Sequence, residues 1–278
     1  MSRLFSLAYL TAASLSPPQA VRLASKLGYD ALGLRIFDAA PGGAFAPLIE
    51  DAALIAETRR ALQETGVGAF DVEIVRLGAG FEVESVGPFL ECCAALGAKA
   101  VLVAGDDPDE GRLVDSFAAF AAAAAPYGLT VNLQFMPWTR VPDAKTAVRV
   151  VKRAGEGNGR VLVDALHFAR SGGSLADIAA ISHARLGYAQ ICDAPVAAPT
   201  TTEGLIHAAR HKRWLPGDGG IDLVGLFAAL PAHLPISVEV PNDTGVEVFG
   251  QEEWARKSLT RAKAIVALAE ARRRHWTH

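Results

Sequence analysis

Leu27-Gly28-Tyr29-Asp30-Ala31-Leu32-Gly33-Leu34 sets out a phrase that the chain repeats: a helix stopped at glycine, a short step, then an apolar run. It returns as Thr65-Gly66-Val67-Gly68-Ala69-Phe70, as Leu96-Gly97-Ala98-Lys99-Ala100-Val101-Leu102-Val103, as Tyr127-Gly128-Leu129-Thr130-Val131 and as Asn158-Gly159-Arg160-Val161-Leu162-Val163. The glycines stand 66−28 = 38 residues apart, then 31 at each of the next three steps, and Gly187 follows 28 residues after Gly159. A glycine just past a helix takes up the positive φ that ends it. A period of about 30 residues in which strands alternate with helices is a series of βαβ units.

Working outward, eight strand candidates emerge: Leu4–Ala8, Ala31–Ile36, Gly68–Ile74, Ala100–Ala104, Thr130–Gln134, Arg160–Asp164, Leu186–Ile191 and Ile236–Glu239. Their middles are apolar without alternation, as expected of parallel strands covered on both faces. Between them lie helical signals, with Ser16 ahead of Pro17-Pro18 at a helix start and an alanine-rich stretch at Phe117–Ala125. The last predicted helix opens with Gln251-Glu252-Glu253 and closes with Arg272-Arg273-Arg274, both favourable to the macrodipole. The predicted fold class is α/β, a closed (β/α)8 barrel forming one domain over residues 1–278, with a longer loop around 193–221 above the active-site face. An open doubly wound sheet is the main alternative.

Composition narrows the function. The chain is 51% hydrophobic and 21% charged, enough to build a core and too apolar for a disordered protein. Its 27 Lys and Arg against 30 Asp and Glu leave a net charge of −3, which offers no broad field for nucleic acid or an anionic membrane. No apolar run approaches a membrane span, and Met1-Ser2-Arg3 begins no secretory signal pattern, so a cytoplasmic location is expected. Three cysteines, Cys92 and Cys93 adjacent, form neither a disulfide framework nor a C-x-x-C metal spacing.

In such a barrel, chemistry belongs where strands run into the following loops. There the chain places Gln134, Asp164, Gln190 and Glu239 at the ends of the last four strands, with His167 shortly after Asp164 and Asp193 after Gln190. One polar residue at a strand end is ordinary solvation; four in succession are a constellation. Buried carboxylates need a partner, and two carboxylates with two amide oxygens make a hard shell suited to Mg²⁺ or Mn²⁺, with Zn²⁺ as the alternative.

Val163-Asp164-Ala165-Leu166-His167, Gln190-Ile191-Cys192-Asp193-Ala194-Pro195, Pro216-Gly217-Asp218-Gly219-Gly220-Ile221-Asp222 and Ser237-Val238-Glu239-Val240-Pro241 resemble the xylose-isomerase-like TIM-barrel superfamily. The resemblance implies a sugar or sugar-phosphate isomerase or epimerase, a dehydratase, or an endonuclease IV-type enzyme. It implies a metal shell of Glu, Asp, His and Glu on the last four strands. Two positions depart: Gln134 stands where glutamate is expected, and Gln190 where many members carry histidine, although Gln190 followed by Ala194-Pro195 is similar to dehydroshikimate dehydratases. An amide cannot take a proton, so Glu239 and His167 are left as the expected proton-transfer pair.

The expected enzyme is a metal-dependent isomerase or epimerase that removes a proton beside a metal-bound carbonyl. A dehydratase (lyase) of the 3-dehydroshikimate type and a barrel impaired by Gln134 are the alternatives. Arg210 and Arg213, three apart on a predicted helix, are expected to clamp a substrate anion, with Arg35 and the wall residue Trp138 as further binding candidates. The expected partner is a small sugar or keto acid rather than nucleic acid or membrane, and a homo-oligomer is compatible with this reading. Endonuclease-type chemistry is disfavoured because the first four strand ends, read as Tyr9, Ile36, Ile74 and Ala104, carry no histidine. Asp106–Glu110 reads as an acidic helix start, and His275 and His278 as tail residues.

Overall fold

The computed structural model describes residues 3–38 and 44–276, with side chains through residue 274; Met1, Ser2 and His278, and the side chain of His275, lie outside the described residues. Eight strands close a parallel barrel in sequence order: β1 Phe5–Leu7, β2 Ala31–Arg35, β3 Gly68–Leu77, β4 Ala100–Gly105, β5 Thr130–Gln134, β6 Gly159–Asp164, β7 Leu186–Ile191 and β8 Ile236–Val238. Closure is direct, with Phe5 opposite Ile236 and Leu7 opposite Val238. Helices fill the connections, so each strand is buried on both faces and its apolar reading is explained.

The repeated glycines act as anticipated at four places. Gly28, Gly66, Gly97 and Gly128 all have φ between 71° and 79°. At the next repeat the left-handed residue is Gly155, φ 77°, whereas Gly159 opens β6. Gly187 serves a different need. Inside β7, a Cβ at this position would collide with the side chain of Asn132 on β5.

Termini of elements are satisfied locally. Ser16 donates its backbone N–H to Gln19 Oε1 at 2.9 Å, and Asp109 caps the next acidic start by accepting from the Arg112 N–H at 2.9 Å. Arg273, near the end of the long helix Gln251–Trp276, donates to the carbonyls of Phe227, Ala228 and Leu230, closing a neighbouring helix rather than its own. Among the described residues, no helix is long and apolar enough to cross a membrane.

A small apolar cluster including Phe70, Leu102, Leu162 and Tyr188 is separate from the larger core between sheet and helices. Tyr188 donates its hydroxyl to Asp71 Oδ2 at 3.3 Å, while Asp71 Oδ1 has no partner among the described residues. Burial, with Glu73 close by, pushes the Asp71 carboxyl up to about 7. A carboxyl that binds its proton more tightly folded than unfolded contributes stability at low pH and loses it as pH rises through the folded value. Asp71→Asn is therefore expected to gain about 1–3 kcal/mol over wild type on going from about pH 5 to about pH 8, read by urea unfolding. A constant difference across that range would show that Asp71 does not carry the effect.

Candidate active site

The ends of β5 to β8 bring Gln134, Asp164, Gln190 and Glu239 to one place. Gln134 Nε2 donates to Gln190 Oε1 at 2.5 Å, and Gln190 Nε2 donates to Glu239 Oε1 at 3.0 Å. All four are buried, as is His167, whose backbone N–H donates to Asp164 Oδ1 at 2.9 Å. This last bond caps the short helix Ala165–Arg170 that follows β6.

A fifth side chain stands among them. Arg213, only 2% exposed, places Nη1 2.6 Å from Asp164 Oδ2 and Nη2 2.8 Å from Glu239 Oε2. Its Nε donates to the Ala209 carbonyl at 2.7 Å, and Nη1 also reaches Cys192 Sγ at 3.4 Å. The backbone is tied as firmly. Arg213 N–H donates to the Pro241 carbonyl at 2.9 Å, and Asn242 donates back to the Arg213 carbonyl at 2.8 Å.

The expected helical pairing of the two arginines does not hold, although both line one cavity. The helix Thr202–His211 ends before Arg213, so Arg210 and Arg213 do not share a helical face. Lys212 and Trp214 instead form bridges to Asn242 and Asp193, which turn the intervening Arg213 inward.

The arrangement also differs from the expected metal shell. Both carboxylates give an oxygen to a guanidinium, Gln190 spends its amide oxygen on Gln134, and among the described residues no three His, Cys, Asp or Glu side chains are grouped to hold a metal ion. One monocation then serves two carboxylates. Asp164, flanked by Arg213 and the His167 N–H, stays below the usual carboxylate range, while burial among Glu73, Asp164 and Asp71 raises Glu239 to about 8 against the pull of Arg213.

Above this floor lies a cavity of about 640 Å³, lined by Tyr9, Arg35, Glu73, Arg76, Trp138, His167, Arg210, Arg213 and Glu239 among others. Burial lowers the His167 imidazole to about 4, leaving it neutral near pH 7; its Nδ1 has no partner among the described residues. Trp138 meets that ring edge-on with centroids 5.0 Å apart. Arg35 donates to Glu73 Oε1 at 2.6 Å and lies 4.6 Å over the Tyr9 ring, while its buried Nε is unpartnered among the described residues. Arg76 pairs with Asp106 at 2.6 Å. Burial lowers Arg210, and the nearby Arg76 and Arg35 push the same way, so three cations converge.

Glu73 and Arg76 escaped the sequence reading, which ended β3 at Ile74; the strand runs on to Leu77. The available signal was Asp71, Glu73 and Arg76 interrupting an otherwise apolar strand. Asp193 is structural. It accepts from the N–H groups of Ala194, Gly217 and Ile221, fastening both ends of the long loop. Asp107 and Glu110 likewise pair with nearby arginines, as the structural reading of that loop supposed.

The pattern of the family described as xylose isomerase-like TIM barrel matches residues 21–265, and the chain belongs to that family. A 3-dehydroshikimate dehydratase of Pseudomonas aeruginosa is 31% identical over 160 residues, 56% of this chain and 23% of that protein. The enzyme of the same name from Pseudomonas putida is 29% identical over 139 residues, 49% of this chain and 21% of that protein. The matched part thus spans less than a quarter of either relative. Among solved structures, a xylose isomerase-like TIM barrel/4-hydroxyphenylpyruvate dioxygenase fusion protein aligns with TM-score 0.78 at 21% identity, over 93% of this chain and 42% of that one. An IolI protein with a zinc atom aligns with TM-score 0.76 at 18% identity, over 95% and 98%. An L-ribulose 3-epimerase aligns with TM-score 0.71 at 15% identity, over 100% and 99%. These likenesses establish the fold.

Removing Arg213 would strand two buried carboxylates. Arg213→Met is expected to lose about 3–5 kcal/mol in urea unfolding, and adding Asp164→Asn and Glu239→Gln to recover most of it. An Arg213→Met protein as stable as wild type would contradict the bridging role.

Proposed function

We propose that this protein is a lyase that dehydrates a small hydroxylated keto acid. The observation that carries the reading is the convergence of Arg35, Arg76 and Arg210 on the cavity that also holds His167 and Glu239. Arg210, beside Arg35 and Arg76 that are themselves paired to Glu73 and Asp106, favours a substrate bearing a carboxylate, which it would hold by charge-assisted hydrogen bonds. The cavity suits a ligand of that size. Similarity to the two Pseudomonas dehydratases points the same way.

His167, neutral and lining the cavity, takes the proton from the carbon beside the ketone. The C–H electron pair forms the new double bond, and the hydroxyl on the next carbon departs with the C–O pair. Glu239, whose raised affinity for its proton makes it an acid near neutrality, protonates that hydroxyl as it leaves as water. Proton exchange with solvent then restores both groups. Trp138 walls the imidazole on one side and limits water around it.

A second reading, ketose isomerisation or epimerisation, is favoured by the same His167 and Glu239 lining one cavity as a proton-transfer pair. Against it stands Gln134, which cannot supply a second carboxylate. The deciding experiment incubates the protein with 3-dehydroshikimate, with and without added Mn²⁺, and follows the absorbance of an aromatic product. Appearance of that product supports the lyase; its absence together with interconversion of a ketose epimer pair replaces it with the second reading. In the active assay, Arg210→Gln is expected to raise KM about 10–100-fold with little change in kcat. Glu239→Gln is expected to lower kcat by about 10²–10⁴.

A further inference from the structure

We infer that Arg213 is the permanent cation of this barrel, occupying the place where a divalent metal would sit, so that the site is complete without one. This rests on the floor of the site alone and is independent of the lyase reading.

Four observations carry it. First, the guanidinium lies between the two carboxylates and contacts both, with Nη1 at 2.6 Å from Asp164 and Nη2 at 2.8 Å from Glu239. Second, it is not a visiting side chain. Nε is held by Ala209, Nη1 also by Cys192, and the backbone on either side by Pro241, Asn242 and the bridge from Trp214 to Asp193.

Third, the remaining donors have turned toward each other. A metal shell needs oxygen lone pairs directed at one point, but Gln134 presents its N–H to Gln190, and Gln190 presents its own to Glu239. The two amides thus run as a one-way chain into a carboxylate, an arrangement that two ionised carboxylates in the same places could not make. Fourth, the charges agree. A dication would neutralise both Asp164 and Glu239, whereas one guanidinium neutralises one of them and leaves the other to be satisfied by amide hydrogen bonding.

The set is matched within this chain: the amides at 134 and 190 and the arginine turned in from the loop close on the two carboxylates. An arginine also brings what a metal cannot, a fixed fork of donors that needs neither loading nor open coordination positions. Arg213 lines the cavity, so the same guanidinium is available to a substrate oxygen.

The test is metal binding by the intact protein, first stripped with a chelator and then titrated with Mn²⁺ while free Mn²⁺ is read by electron paramagnetic resonance. Wild type is expected to take up no stoichiometric Mn²⁺ at these side chains, and its Tm to be the same in chelator and in Mn²⁺. One equivalent bound per chain, and lost in Glu239→Gln, would overturn the inference; an equivalent that survives Glu239→Gln lies elsewhere and agrees with it. The triple variant Gln134→Glu, Gln190→His, Arg213→Ala is expected to bind one Mn²⁺ per chain at least about 10–100-fold more tightly than wild type. A folded triple variant that binds no better would also overturn it, and should that variant fail to fold, the wild-type titration decides alone.

Discussion

Two carboxylates buried side by side at the mouth of a barrel set the central constraint on this molecule. Asp164 cannot stay charged in a low-dielectric floor, nor can Glu239 give up its proton there, unless positive charge is supplied within hydrogen-bonding distance. Arg213 supplies it, and much of the upper face follows from getting that one guanidinium into place. The long loop after β7 must travel out, form the helix Thr202–His211 and return to reach the strand ends. Asp193, collecting backbone N–H groups from both ends of that loop, is the device that brings it back.

The polar floor and the cationic mouth divide the labour of the cavity. Below, Asp164, Arg213, Glu239 and the two glutamines form a closed hydrogen-bonded set with little freedom to rearrange. Around the opening, Arg35, Arg76 and Arg210 come from β2, β3 and the loop helix, so their position depends on three separate elements. His167 and Trp138 stand between the two levels and touch each other. A site of this kind is rigid where protons are handled and adjustable where an anion is received.

Much of the fold was legible because it is periodic. Glycines at helix ends and unbroken apolar runs respond to local backbone and burial constraints, and both survive in the barrel nearly residue for residue. The convergence of positions 134, 164, 190 and 239 was legible too, since strand ends in a closed parallel barrel share one rim. What occupies their centre was not. Arg213 sits two residues past a helix end, and helix periodicity says nothing about a segment whose direction is set by pairing with Asn242 and Asp193. Glu73 and Arg76 were hidden for a related reason: charged residues do not announce a buried strand, and their partners on neighbouring β2 and just past β4 let β3 carry them.

The tethering of Arg213 has a consequence for traffic into the cavity. Swinging the β7–β8 loop outward would carry the counter-charge away from Asp164 and Glu239, a penalty of about 3–5 kcal/mol that keeps the displaced form to less than about one molecule in a hundred. This segment is a keystone of the roof rather than its door.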